Sequence, residues 1–113
     1  MIELIDRVKR RQYWPLKGIL LLVVLKLLRS QPMYGKQIVD TIEKKYNVKI
    51  PKSVIYFLLR RLEKRDIVAS EWDTSKSGPA RRVYVLTEFG VEFLEDKLSK
   101  IKKILPVLED LVS

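Results

Sequence analysis

Residues 52 to 64 carry the side chains best suited to engaging a partner. Lys52, Ser53, Arg60, Arg61 and Lys64 are interleaved there with the aromatics Tyr56 and Phe57. An arginine can donate two parallel hydrogen bonds to a guanine edge or a phosphate, and a lysine supplies a compact positive charge. Ser53, at a helix start, suits a phosphate oxygen. Phe57 offers an apolar surface to a thymine methyl, while Tyr56 has a ring for packing and a hydroxyl for phosphate. The chemistry is that of polyanion recognition, set against the plainer reading of a solvated helix face. Lys36, Lys76, Arg81 and Arg82 add positive charge elsewhere. Lys9, Arg10 and Arg11 are read either as a basic arm or as solvated residues of a helix.

Catalytic chemistry has little to build on. The 113 residues include no His and no Cys, which removes the commonest general base, thiol nucleophiles and most transition-metal sites. The carboxylates are scattered among Lys and Arg; Glu92, Glu95 and Asp96 do cluster, as a solubilising face or a weak Mg²⁺ attractor. The four glycines are isolated and form no phosphate loop. The expectation is therefore a chain that is not an enzyme and needs no cofactor or metal. The net charge of +9 is unevenly spread: residues 1–87 carry +11 (19 basic, 8 acidic) and residues 88–113 carry −2 (4 basic, 6 acidic). A basic body with an apolar-striped tail suggests polyanion contact in one part and self-association in the other.

The elements that must position these groups follow from periodicity. Residues 2–12 form a short amphipathic helix with Ile2, Ile5 and Val8 on one face. Residues 16–29 form the most apolar helix; its unbroken run, 19–25, is far below the ~20 residues of a membrane span, so a cytoplasmic protein with a buried helix is expected. Pro32 ends it. Residues 34–46 make a second helix on a stripe of Ile38, Ile42 and Tyr46, with Asn47 as its stop. Val48-Lys49-Ile50 reads as a very short strand, and Pro51 opens the helix of residues 52–65. There Ile55, Leu58, Leu59 and Leu62 define a core stripe, which leaves Ser53, Phe57, Arg60 and Lys64 at the opposite pole.

Runs 67–72 and 82–87 are strand-like and are joined by turn-forming residues, giving a β-hairpin. Arg82 shares strand parity with Tyr84 and Leu86, and Arg81 with Val83 and Val85, so at most one face of the hairpin can serve a polyanion. The tail, 88–113, carries Val91, Leu94, Leu98, Ile101, Leu105 and Leu108 at a/d spacing, the pattern of a helical dimer seam. Pro106 should kink or restart that helix. Trp14 and Trp72 are read as packing residues, with the lining of an aromatic pocket as the alternative.

Three helices, a hairpin and a long helix in a basic chain define a mainly α fold with a small β-hairpin, the winged helix-turn-helix with a C-terminal dimerisation helix. The divisions are 1–15 (N-terminal arm), 16–87 (winged helix) and 88–113 (tail). Met33-Tyr34-Gly35, the run from Ile55 to Glu63, and the run from Gly78 to Gly90 together resemble the PadR family of transcriptional regulators. In the last run Arg81, Tyr84, Leu86, Thr87 and Gly90 fit the family's wing pattern. Two residues depart from the family: Phe57 stands where proline is common, and Asp66 where glycine usually closes the recognition helix. The second departure leaves the helix exit open to a different geometry.

The resemblance implies a homodimer built from the C-terminal helix with help from an N-terminal one, here including Ile5. It implies a repressor in most cases, and for some members an aromatic or hydrophobic effector near the dimer interface. The function expected is sequence-specific binding of double-stranded DNA by Lys36, Lys52, Ser53, Tyr56, Phe57, Arg60, Arg61, Lys64, Lys76, Arg81 and Arg82. A protein–protein adaptor pairing through its tail is the alternative. Membrane-surface binding would need a larger apolar face than Ile2, Ile5 and Val8 provide.

Overall fold

The computed structural model describes residues 17–75 and 77–113. The expectations for residues 2–12, for Ile5, the 9–11 basic cluster and Trp14, and for Lys76 lie outside the described residues. Helix α1 (Lys17–Ser30) is the central apolar element, and Val24, Leu25 and Leu28 are buried. Its last turn is closed by the Ser30 hydroxyl donating to the Leu27 carbonyl at 2.7 Å. Beyond Pro32 the chain forms strand β1 (Met33–Tyr34) and enters α2 (Gly35–Tyr46). Ile38, Val39 and Ile42 of α2 face the core, but Tyr46 does not: its ring is exposed, with the Lys45 ammonium 5.6 Å from its centre. Asn47 ends α2 in the left-handed region (φ 55°), its N–H donating to the Glu43 carbonyl at 2.9 Å.

Residues 48–50 form no strand. Ile50 alone is buried there, tucked into the core ahead of Pro51, while Val48 and Lys49 face solvent. The additional strand is β1, which joins β2 (Val68–Asp73) and β3 (Arg81–Leu86) in a three-stranded antiparallel sheet of order β1-β3-β2. Met33 lies opposite Tyr84 and Tyr34 opposite Val83, so β1 ties the start of α2 to the wing. The hairpin register sets Val68 against Leu86, Ser70 against Tyr84 and Trp72 against Arg82 on one face.

Helix α3 (Lys52–Lys64) buries Ile55, Leu58, Leu59 and Leu62, the stripe its periodicity dictates. Its exit is a glycine-type exit made with an aspartate. Asp66 sits at φ 60°, its N–H donates to Glu63 at 3.0 Å, and the N–H of Ile67 reaches back to Leu62 at 3.0 Å. These two bonds define a Schellman cap, and the buried pair Leu62 and Ile67 supplies its hydrophobic contact.

Helix α4 (Glu88–Val112) starts at Thr87. The Thr87 hydroxyl accepts from the Gly90 N–H at 2.9 Å and faces the carbonyls of Asp66 (2.6 Å) and Ile67 (3.1 Å). Gly90 has no room for a side chain: a Cβ there would lie 2.1 Å from the Ile67 carbonyl oxygen. Thr87 and Gly90 thus fasten the start of α4 to the exit of α3. The helix runs through Pro106 without a break, so no restart occurs.

The a/d seam of α4 divides in two. Leu94 is fully buried in the chain's own core, with Phe93 and Leu98 packed against it, and α4 lies against α1. Leu94 therefore has no surface to offer a second chain, because α1 already occupies that face. Val91 and Ile101 are half-buried. Further on, Ile104, Leu105, Val107, Leu108, Leu111 and Val112 are exposed. Intrachain and interchain packing share the same spacing, so the sequence pattern alone does not mark where one passes into the other.

Candidate nucleic-acid interface

The exposed side of α3 presents Lys52, Ser53, Tyr56, Phe57, Arg60, Arg61 and Lys64 to solvent. Phe57 is 45% exposed, a large apolar ring held on a basic surface. The Arg61 guanidinium lies 5.6 Å from the centre of that ring, within cation–π range. The pole placed at residues 53, 57, 60 and 64 by helical period is thus a single outward face, backed by a fully buried one.

Tyr56, on the flank of that face, packs against the start of α2. A Cβ at position 35 would sit 2.4 Å from Cε1 of the Tyr56 ring, so Gly35 is the residue that lets the ring approach the start of α2. Tyr56, Gly35, Lys36, Gln37, Tyr34, Asp40 and the wing residues Ala80, Arg81 and Arg82 line an open cleft of about 520 Å³. The cleft brings together Lys36, Tyr56, Arg81 and Arg82, which the sequence reading placed on three separate elements. Tyr34 and Gln37 are additions to that reading. The Gln37 side chain accepts from the Tyr34 N–H at 2.8 Å and so holds the first turn of α2. The Met33-Tyr34-Gly35 motif carried the only signal for Tyr34.

The wing is fastened on both faces. On one, the Tyr34 hydroxyl donates to the Asp73 carboxylate, and the Arg81 guanidinium lies 5.4 Å from the Tyr34 ring centre. The bond to Asp73 holds the Tyr34 proton and raises its pKa above the ordinary phenol value; desolvation and the Asp73 charge act the same way, and Arg81 opposes them. On the other face, the Ser70 hydroxyl donates to Glu63 of α3 at 2.5 Å, and Arg82 donates to Ser70 at 3.0 Å. Arg82 also lies 3.6 Å from Glu63 and 4.7 Å from the centre of the Trp72 ring. Beneath this group Tyr84 is buried, and its pKa is raised by that burial and then by the Glu63 charge.

Arg82 engages Glu63, Ser70 and Trp72 on the strand face it shares with buried Tyr84, with its side chain still 40% exposed, and Arg81 is exposed on the other face. Trp72 is not core packing at the wing base: it is 61% exposed, near the distal end of β2, and serves as the surface on which Arg82 stacks.

Three helices, a β-ribbon wing fastened to the third of them, and a basic face with an apolar ring at its centre define a winged-helix transcriptional regulator. The sequence model of the transcriptional regulator PadR-like family matches residues 24–96, and the chain belongs to that family. Membership places it among transcription regulators and not among enzymes. Solved structures agree. A PadR family transcriptional regulator from Eggerthella lenta is 27% identical, covers 98% of this chain and 97% of its own, and superposes with a TM-score of 0.78. A PadR-like regulator from Bacillus cereus is 26% identical over 87% of this chain and 95% of its own, with a TM-score of 0.77. Bacillus subtilis PadR, whose structure was determined with operator DNA, shares the fold at 23% identity and a TM-score of 0.65; the match covers 71% of this chain and 46% of that one. Among the described residues, no helix is long and apolar enough to cross a membrane.

Proposed function

We propose that this regulator binds double-stranded DNA sequence-specifically as a homodimer and represses transcription. The observation that carries the reading is the two-sidedness of α3: Ser53, Phe57, Arg60 and Lys64 all face solvent while Ile55, Leu58, Leu59 and Leu62 are all buried. A helix of 13 residues, about 20 Å long at 1.5 Å per residue, fits a major groove. Arg60 reads a base edge there, Phe57 touches a thymine methyl, and Lys52, Ser53, Arg61 and Lys64 hold the backbone. The cleft at the α2 N-terminus, where Lys36, Tyr56 and Arg81 come together, takes a flanking phosphate. The operator complex of the Bacillus subtilis relative supports the same use of the fold.

A second copy of the chain accounts for the far half of α4. Leu105, Leu108 and Leu111 project an exposed apolar stripe, and an apolar groove of about 380 Å³ opens between α1 and α4, lined by Ile19, Leu22, Phe93 and Ile101. Pairing two tails covers that surface and presents two α3 helices to half-sites ~10 bp apart, or a multiple of that. An aromatic or hydrophobic effector, if the regulator takes one, would belong at this apolar interface.

The test is selection of bound duplexes from random DNA, followed by titration at several salt concentrations. With ~4 phosphates neutralised per protomer, the dimer should show a slope of log affinity on log salt of about −7. A flat response would refute DNA binding. Arg60→Glu should abolish specific binding and leave the thermal midpoint within a degree or two, because the side chain faces water. Sedimentation of the purified chain as a stable monomer would favour a missing hetero-partner and the adaptor reading.

A further inference from the structure

Glu63 is an acidic residue on an element otherwise rich in positive charge, and the DNA reading gives it no task. It lies in the last full turn of α3, and its carboxylate meets two wing strands at once. One oxygen accepts from Ser70 of β2 at 2.5 Å, and the other lies 3.6 Å from Arg82 of β3. The Ser70 hydroxyl both donates to Glu63 and accepts from Arg82 at 3.0 Å. The indole of Trp72 covers the Arg82 guanidinium at 4.7 Å.

The wing needs this fastening only in its distal half. Its base is held by hydrophobic packing, since Val68 and Tyr84 are buried. Beyond them Trp72 and Arg81 are exposed, so the outer strands have no core to rest on. On the side of α3, the Glu63–Ser70–Arg82 group holds them; on the side of α2, the Tyr34–Asp73 bond does. A two-stranded ribbon without packing on either face is marginal in water, so side-chain ties decide its angle.

We infer that Glu63 is a positioning residue for nucleic-acid binding: through Ser70 and Arg82 it fixes the wing relative to the recognition helix, so that Arg81 and the α3 face meet the backbone together. The inference rests on the DNA reading. It makes a prediction opposite in sign to simple electrostatics. Removing a negative charge beside a polyanion strengthens binding if charge is all that matters. Removing a tie that sets the wing angle weakens it.

The experiment compares Glu63→Gln and Ser70→Ala with the unaltered protein, using a duplex that the unaltered protein has selected from random sequence. Glu63→Gln should lower affinity about tenfold despite the gain in net positive charge, within the range for coupled neighbours. Ser70→Ala alters no charge and should lower affinity by a similar factor at an unchanged salt slope. Adding either change to Arg82→Gln should cost little more, because all three break one unit. Unfolding midpoints should stay close to the parent, since the ion pair is about one-third exposed and such pairs contribute little to stability. Equal or tighter binding by Glu63→Gln, no loss with Ser70→Ala, or additive losses in the pairs would each overturn the inference. None of those results would touch the DNA reading, which fails separately if the unaltered protein selects no duplex.

Discussion

Gly90→Ala is the substitution whose consequence the packing determines most directly. Ala gains about 1 kcal/mol over Gly inside a helix, so an open position would become more stable. Position 90 is closed. The new methyl would stand 2.1 Å from the Ile67 carbonyl oxygen and 2.7 Å from the Leu86 Cδ1. The leucine can rotate, but the carbonyl is backbone and belongs to the cap of α3, where it also receives the Thr87 N–H at 3.2 Å. Relief requires the first turn of α4 to move by about an ångström. That motion breaks the Thr87–Gly90 cap, worth about 1 kcal/mol. Overpacking of this kind adds some 1–3 kcal/mol. After subtracting the helix gain, a net loss of about 2 kcal/mol remains, a fall in thermal midpoint of roughly 6–10 °C for a domain of this size. Calorimetry or circular dichroism of the purified variant measures it. An unchanged or raised midpoint would refute the claim that α4 is seated on the α3 exit through bare backbone.

Gly35→Ala should behave differently, because the obstacle is the Tyr56 ring, which can swing into solvent: stability should change by less than about 1 kcal/mol, while DNA affinity measured by fluorescence anisotropy should drop several-fold. Asp66→Gly should raise stability by about 0.5–1 kcal/mol in urea unfolding, since glycine adopts φ 60° without the Cβ penalty that aspartate bears. Leu108→Glu should convert the proposed dimer to a monomer in sedimentation while leaving the circular dichroism spectrum intact, because that side chain is exposed within its own chain. Leu94→Ala should instead cost about 2–5 kcal/mol of stability, as for any buried leucine, and so separate the two halves of the tail.

Helix α3 was legible in the sequence because burial and exposure there follow one period: Ile55, Leu58, Leu59 and Leu62 face in, and residues 53, 57, 60 and 64 face out. Strand parity likewise separated Arg81 from Arg82. What parity could not supply was the acceptor for Arg82, since Glu63 and Ser70 belong to other elements and meet only in three dimensions. Strand β1 escaped notice because two residues have no periodicity of their own and exist as a strand only through Tyr84 and Val83. Tyr46 sat on an apolar spacing yet faces water, since Ile42 is the last residue of α2 that the core reaches. At Asp66 a poor left-handed residue takes the left-handed conformation anyway, because the buried Ile67 and Leu62 and two backbone bonds dictate the exit.

The Thr87 hydroxyl, facing the carbonyls of Asp66 and Ile67 and capping α4 in the same stroke, leaves no slack between the tail and the reading head. There is no hinge peptide at that junction to absorb a turn of the long helix. Whatever takes hold of the far end of α4 therefore holds the exposed arm beyond Ile101, carried on a helix seated against α1 and on the end of α3. In the proposed homodimer a few degrees of rotation there would become ångströms of separation between the two α3 faces, so a molecule that alters how two tails cross would retune the spacing of the DNA site without ever approaching it.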